Sequence, residues 1–111
     1  MIKLHPLTNR VLYCGQEASL REVDLRGEDL RGANLQGADL QQASLQWANL
    51  QGADLQQASL KRADLQRSSL LGANLQGANL QEVNLQWADL RGSNLRGADL
   101  QQALLYGASF E

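Results

Sequence analysis

Side chains able to do chemistry recur along this chain at regular intervals. Aspartates stand at Asp24, Asp29, Asp39, Asp54, Asp64, Asp89 and Asp99, and arginines open the series at Arg21, Arg26 and Arg31. Carboxylates facing one another across a cleft would point to acid–base catalysis. A continuous stripe of arginines would point to phosphate binding. His5 is the only histidine and Cys14 the only cysteine. Trp47, Arg67 and Trp87 include both tryptophans of the chain and are spaced twenty residues apart. A guanidinium between two indoles makes a cation–π arrangement. Whether any of these groups converge depends on the elements that carry them.

Those elements are read from the leucines. Leucine occupies every fifth position from Leu20 to Leu105, and Phe110 continues the register. An α-helix turns about 500° over five residues, so these leucines would not form a stripe on it. A flat strand would throw alternate leucines onto opposite faces. Two positions before these leucines the residue is small in nearly every unit, with an unbroken run from Ala33 through Ala38, Ala43, Ala48, Ala53 and Ala58 to Ala63. Between small residue and leucine stands Asp, Asn or Ser, with Leu104 the exception. The two positions after leucine are polar or glycine in most units.

Small, polar, leucine reads in–out–in, as a very short strand with one buried face. The next two residues must turn the chain so that leucine again points inward. A corner every five residues closes a square of four units, and coils of twenty residues stack at the ~4.8 Å strand spacing. One corner column holds Gly32, Gly52, Gly72 and Gly92, and the next holds Gly37, Gln57, Gly77 and Gly97. Glycine there fits the positive φ of a type II turn. The other two columns carry Glu22, Gln42, Arg62, Glu82, Gln102 and Gly27, Trp47, Arg67, Trp87, Gly107. Their bulk predicts a second kind of corner with ordinary negative φ.

The stretch ADLQQASLQWANLQGADL resembles the pentapeptide-repeat proteins, whose units read A-(D/N)-L-x-x. The resemblance implies an all-β solenoid, a right-handed quadrilateral β-helix. Residues 18–111 would supply about four and a half coils, roughly 22 Å of rod at the strand spacing. Residues 1–17 lie outside the repeat and are expected to form a short N-terminal cap. Pro6 suits a first helical turn, Leu7, Val11 and Tyr13 could share a face, and Gly15 could end a helix. A helix is expected there, with a short extended segment as the alternative. Glu28 takes an inward small position, and a buried unpaired carboxylate would be costly. It is expected to reach Arg10 or solvent.

At the other end Leu104, Leu105, Tyr106 and Phe110 make the last half-coil unusually apolar. Local end-packing is one reading; a homodimer through this end is the other, because an open coil end is both an edge and an apolar patch.

Placed on the coil, most of the candidate chemistry disperses. The aspartates take the outward mid-strand position and alternate with asparagine and serine down each column, which an acid–base pair would not tolerate. Arg21, Arg26 and Arg31 fall on three sides of the square and form no stripe. His5 and Cys14 lack converging partners. No catalytic residue, cofactor or metal site is expected, and the chain reads as a non-enzyme. Ten basic residues against twelve acidic give a net charge of −2, too balanced to announce a nucleic-acid partner. No apolar run approaches the ~20 residues of a membrane span, and a lone thiol suits a reducing cytoplasm.

The family resemblance brings one further alternative, since some pentapeptide-repeat proteins mimic DNA and inhibit DNA gyrase. From Ala18 onward eleven acidic residues stand against eight basic ones, and no column is acidic throughout. The preferred expectation is a protein-interaction module or rigid scaffold, with a structural spacer as a further alternative. The candidate partner site is the corner column Trp47, Arg67 and Trp87, with Lys61 and Arg62 as a basic margin on the adjacent corner. The plain reading of that column is rings that merely cover the backbone; the functional one is an anchor for a protein.

Overall fold

The computed structural model describes residues 2–4, 11–14 and 19–111. From Ser19 to Ser109 the backbone is a stack of parallel bridges whose partners are twenty residues apart. Four ladders result. One runs Ser19, Asp39, Ser59, Asn79, Asp99; the second Asp24, Ser44, Asp64, Asn84, Leu104; the third Asp29, Asn49, Ser69, Asp89, Ser109; the fourth Asn34, Asp54, Asn74, Asn94. Two of the molecule's three extents are nearly equal, 23 and 22 Å, as a square section requires.

The core is the column interior. Every fifth-position leucine from Leu30 to Leu90 is buried, together with Ala33 to Ala63, Ala73, Ala78, Val83 and Ala88; Leu71, a corner residue outside that register, is only half-buried. Ser68 is the buried polar exception among the described residues, and its hydroxyl donates to the Leu65 carbonyl at 2.7 Å. Burying leucine against alanine in each coil removes apolar surface from water, worth about 25 cal/mol per Å². Glu28, at an inward position of the first coil, is exposed to solvent, one of the two outcomes expected of it. Arg10, its other expected contact, lies outside the described residues.

Within the stack, a unit with Asp or Asn at mid-strand satisfies all five of its backbone N–H groups. In the unit around Leu50, the Leu50 N–H donates to the Ser69 carbonyl of the next coil at 2.7 Å, and the Gly52 N–H to the Leu71 carbonyl at 2.9 Å. The Ala53 N–H closes the corner on the Leu50 carbonyl at 3.0 Å, and the Asn49 N–H reaches back to the Glu28 backbone carbonyl at 2.9 Å. The remaining donor, Gln51 N–H, goes to the side-chain oxygen of Asn49 at 3.1 Å. Buried or half-buried backbone groups must find partners somewhere, and here the solenoid finds them without a long strand.

The corners differ from the expectation of two kinds. All four columns put the second residue after leucine at positive φ, non-glycine residues included: Gln42 at 61°, Trp47 at 64°, Arg62 at 62°, Arg67 at 59° and Trp87 at 63°. The reason is hydrogen bonding. Each of these residues sits inside a turn closed on the preceding leucine carbonyl, and its own N–H donates along the axis to the next coil. Two bonds per corner outweigh a left-handed strain of roughly 1–2 kcal/mol.

The described part of the N-terminal segment takes the extended alternative and not the helix. Ile2–Leu4 (β1) and Val11–Cys14 (β2) pair antiparallel, Lys3 facing Tyr13. Val11 and Tyr13, read above as one face of a helix, are strand residues, in keeping with the preference of β-branched and aromatic side chains for a pleated surface. His5, Pro6, Leu7 and Gly15 lie outside the described residues.

Candidate functional site

The mid-strand Asp and Asn residues are local turn devices. Every one from Asp24 to Asp99 accepts a hydrogen bond from the N–H two residues on, as Asp24 does from Arg26, Asn34 from Gln36, Asp64 from Gln66 and Asn94 from Arg96. This Asx turn satisfies the one corner donor that the ladder leaves free. The outward position expected from the repeat does not by itself disclose this role; the signal for it is an Asp or Asn two positions before an otherwise unpaired corner N–H.

Five carboxylates are also paired with arginines. Arg26 and Arg91 each fork onto the Asp two residues earlier, with both contacts at 2.8 Å for Arg26 and at 2.8 and 2.7 Å for Arg91. Arg31 does the same to Asp29, Arg21 bonds Asp39, and Arg62 pairs with Glu82 at 2.7 Å. Hydrogen bonds from the Arg26 side chain and backbone hold the Asp24 carboxyl down at about 2. The Arg91 bonds lower Asp89, and the Gln81 side chain with the Gln101 N–H lowers Asp99. For Asp39, partial burial pushes upward and is more than offset by Arg21 and Gln41. These are carboxylates held ionised, the opposite of what a general acid needs. Arg21, Arg26 and Arg31 are each bound to a carboxylate and present no shared phosphate cradle.

The Trp47, Arg67 and Trp87 column does come together. The Arg67 guanidinium carbon lies 5.4 Å from the centre of the Trp47 ring and 5.7 Å from that of Trp87. Trp47 is 66% exposed and Trp87 50%. Trp87 is seated by the residue below it in the column: a Cβ on Gly107 would fall 2.5 Å from the indole Cε3, so only glycine leaves the ring its place. Tyr106, read from sequence as part of the coil end, packs edge-to-face on Trp87 at 5.3 Å and 88°. Its place directly before Gly107 in the tryptophan column was the available clue. Trp47, Arg67, Trp87 and Tyr106 therefore line one strip that runs into the apolar end, where Leu104 is 50%, Leu105 38% and Phe110 45% exposed.

Lys61 and Arg62 do not join this strip. They line a shallow polar groove with Gln81, Glu82, Gln101 and Gln102, where Arg62 is held by Glu82. Among the described residues, no three His, Cys, Asp or Glu side chains converge as metal ligands, and no helix is long and apolar enough to cross a membrane.

The family description "Pentapeptide repeats" matches in eight copies, over residues 18–57, 43–81, 58–97 and 84–111. No curated protein matches the sequence. Among solved structures, the pentapeptide-repeat protein Rfr23 from the cyanobacterium Cyanothece 51142 is 40% identical with a TM-score of 0.79, over 80% of this chain and 60% of that one. A pentapeptide-repeat protein from the Arabidopsis thaliana thylakoid lumen is 32% identical with a TM-score of 0.80, over 82% of this chain and 63% of that one. The chain thus spans a little under two thirds of the length of these relatives.

Proposed function

The chain belongs to the pentapeptide-repeat family, and from that premise we propose that it is a non-enzymatic protein-interaction module that docks a partner on its aromatic corner. One observation carries this reading: two half-exposed or more exposed tryptophans stand on a single rigid corner with an arginine between them. Tryptophan, tyrosine and arginine dominate interface hot spots, and the rest of the surface is mainly Gln, Asn, Asp and Gly turns. A Trp47→Ala, Trp87→Ala double variant should keep its circular-dichroism spectrum and lose the partner that wild type captures from cell extract. Undiminished capture by the variant would overturn the reading.

The same proposal holds that residues 1–17 cap a right-handed solenoid of about four and a half coils at 18–111, a count supported by the ladders from Ser19 to Ser109. It places the protein in the cytoplasm, on the support of its single cysteine. Self-association through Leu104, Leu105, Tyr106 and Phe110 is a second reading, favoured by their exposure at the last coil and compatible with a spacer or assembly role. Leu104→Asp with Phe110→Ser should then give a monomer by sedimentation without loss of β structure, and a wild type already monomeric at high concentration removes the idea. Gyrase inhibition by DNA mimicry has less support, because arginines neutralise Asp24, Asp29, Asp39, Glu82 and Asp89. Unimpaired supercoiling by gyrase at micromolar protein would eliminate it.

A further inference from the structure

We propose that the aromatic corner recognises a carboxylate, presented by an acidic residue flanked by apolar ones on a partner protein segment. The proposal rests on the docking role given to this corner above and names the chemistry of what docks. Arg67 is the starting point. Arg21, Arg26, Arg31, Arg62 and Arg91 each hold a carboxylate of this chain. Arg67 is held by two rings and, among the described residues, by no carboxylate. Arg96 also has none among those residues, but it has no aromatic frame.

The frame decides what the free charge can do. Rings facing a guanidinium use its π face and leave the N–H groups around its edge as donors. Those donors form a planar fork that matches a carboxylate in two parallel bonds. The indoles border Arg67 at 5.4 and 5.7 Å, so a partner segment that covers them closes water away from the guanidinium and lowers the effective dielectric of the ion pair on binding. Trp87 is fixed by Gly107 beneath it and Tyr106 at its edge, so the frame is largely formed before binding, which limits the ordering cost. A nucleic-acid backbone fits poorly, since it needs a row of cations and the neighbouring Arg62 is spent on Glu82. Apolar residues on both sides of the partner's acid would cover Trp47 on one side and Trp87 with Tyr106 on the other.

Both tryptophans of the chain are in this site, so tryptophan emission, excited beyond the tyrosine band, reports on it alone. The probes are short tryptophan-free peptides with leucines flanking a central Glu, Gln or Lys. The Glu peptide should shift the emission saturably, and the Gln peptide should bind roughly tenfold more weakly, the size of one charge-assisted hydrogen bond. In Arg67→Glu the order should reverse, Lys binding better than Glu; in Arg67→Gln the Glu preference should vanish. Equal binding of the Glu and Gln peptides to wild type, an unchanged order in Arg67→Glu, or no emission change with any peptide overturns the proposal. Tryptophan-dependent capture of a partner alongside any of those results would sink the carboxylate inference alone. Tryptophan-independent capture would sink the docking role itself.

Discussion

At Asn79 the side-chain oxygen stands 3.0 Å from the Gln81 N–H, and at Leu60 the whole side chain is shut inside the bore. These two contacts set the energetic scale of the repeat. Removing the Asn79 oxygen frees one partly buried donor, so Asn79→Ala should cost about 0.5–1.5 kcal/mol. Leu60→Ala opens a cavity that stacked coils above and below cannot fill, and should cost about 2–5 kcal/mol. Gln56→Ala keeps the Gln56 backbone bond to Asp54 and loses a side-chain bond at the surface, and should change stability by less than about 0.5 kcal/mol. Urea midpoints of the three variants check the order. Equal shifts for Leu60→Ala and Gln56→Ala would mean that leucine is not the inward residue.

The element of this molecule is the corner, and its conformation is imposed from outside the residue. Gln57 takes φ of 60° in a column otherwise filled by Gly37, Gly77 and Gly97. Gln57→Gly should therefore stabilise the protein by about 1 kcal/mol, the left-handed strain removed, less the extra freedom that glycine gives the unfolded chain. Gly52→Ala is the matching control. A Cβ there meets nothing within 4 Å while φ stays at 68°, so any loss reports backbone strain and not crowding. Thermal melts should move in opposite directions for the two variants. A destabilised Gln57→Gly would show that the side chain contributes more than its backbone strain removes.

Across the whole molecule, the ladders make stability a sum over neighbouring coils, and the outer surface adds a charge network with a pH signature. Asp24, Asp39, Asp89 and Asp99 all titrate below the ordinary 3.8 when folded, Asp24 at about 2. The unfolded chain then takes up protons first as the pH falls. Their contribution is present above the unfolded pKa and is lost as the pH drops through the folded one. The melting temperature should accordingly hold steady down to about pH 4 and fall from there toward pH 2. Arg26→Gln should raise the Asp24 midpoint toward 3.8, read by NMR of its side chain. An Asp24 midpoint unchanged in Arg26→Gln would show that the fork contributes nothing, and added salt should flatten the slope because these pairs are exposed.

The sequence by itself determined the path of the chain. A leucine every fifth residue with alanine two positions earlier admits one solution that keeps both inside, and the buried column from Leu30 to Leu90 is that solution. It also placed Trp47, Arg67 and Trp87 on one corner, because a period of twenty converts directly into stacking. Three things were decided only by tertiary structure. The positive φ at Trp47, Arg67 and Gln42 follows from bonds to the next coil, which side-chain bulk does not reveal. The Asx role of residues such as Asn49 and Asp64 appears only once every other corner donor is accounted for. The strand at Val11–Cys14 depends on pairing with Ile2–Leu4, a partner that local periodicity does not contain. Local pattern fixes which residues go inside; the hydrogen-bond partners of the backbone, which lie a full coil away, fix the conformation in which they arrive there.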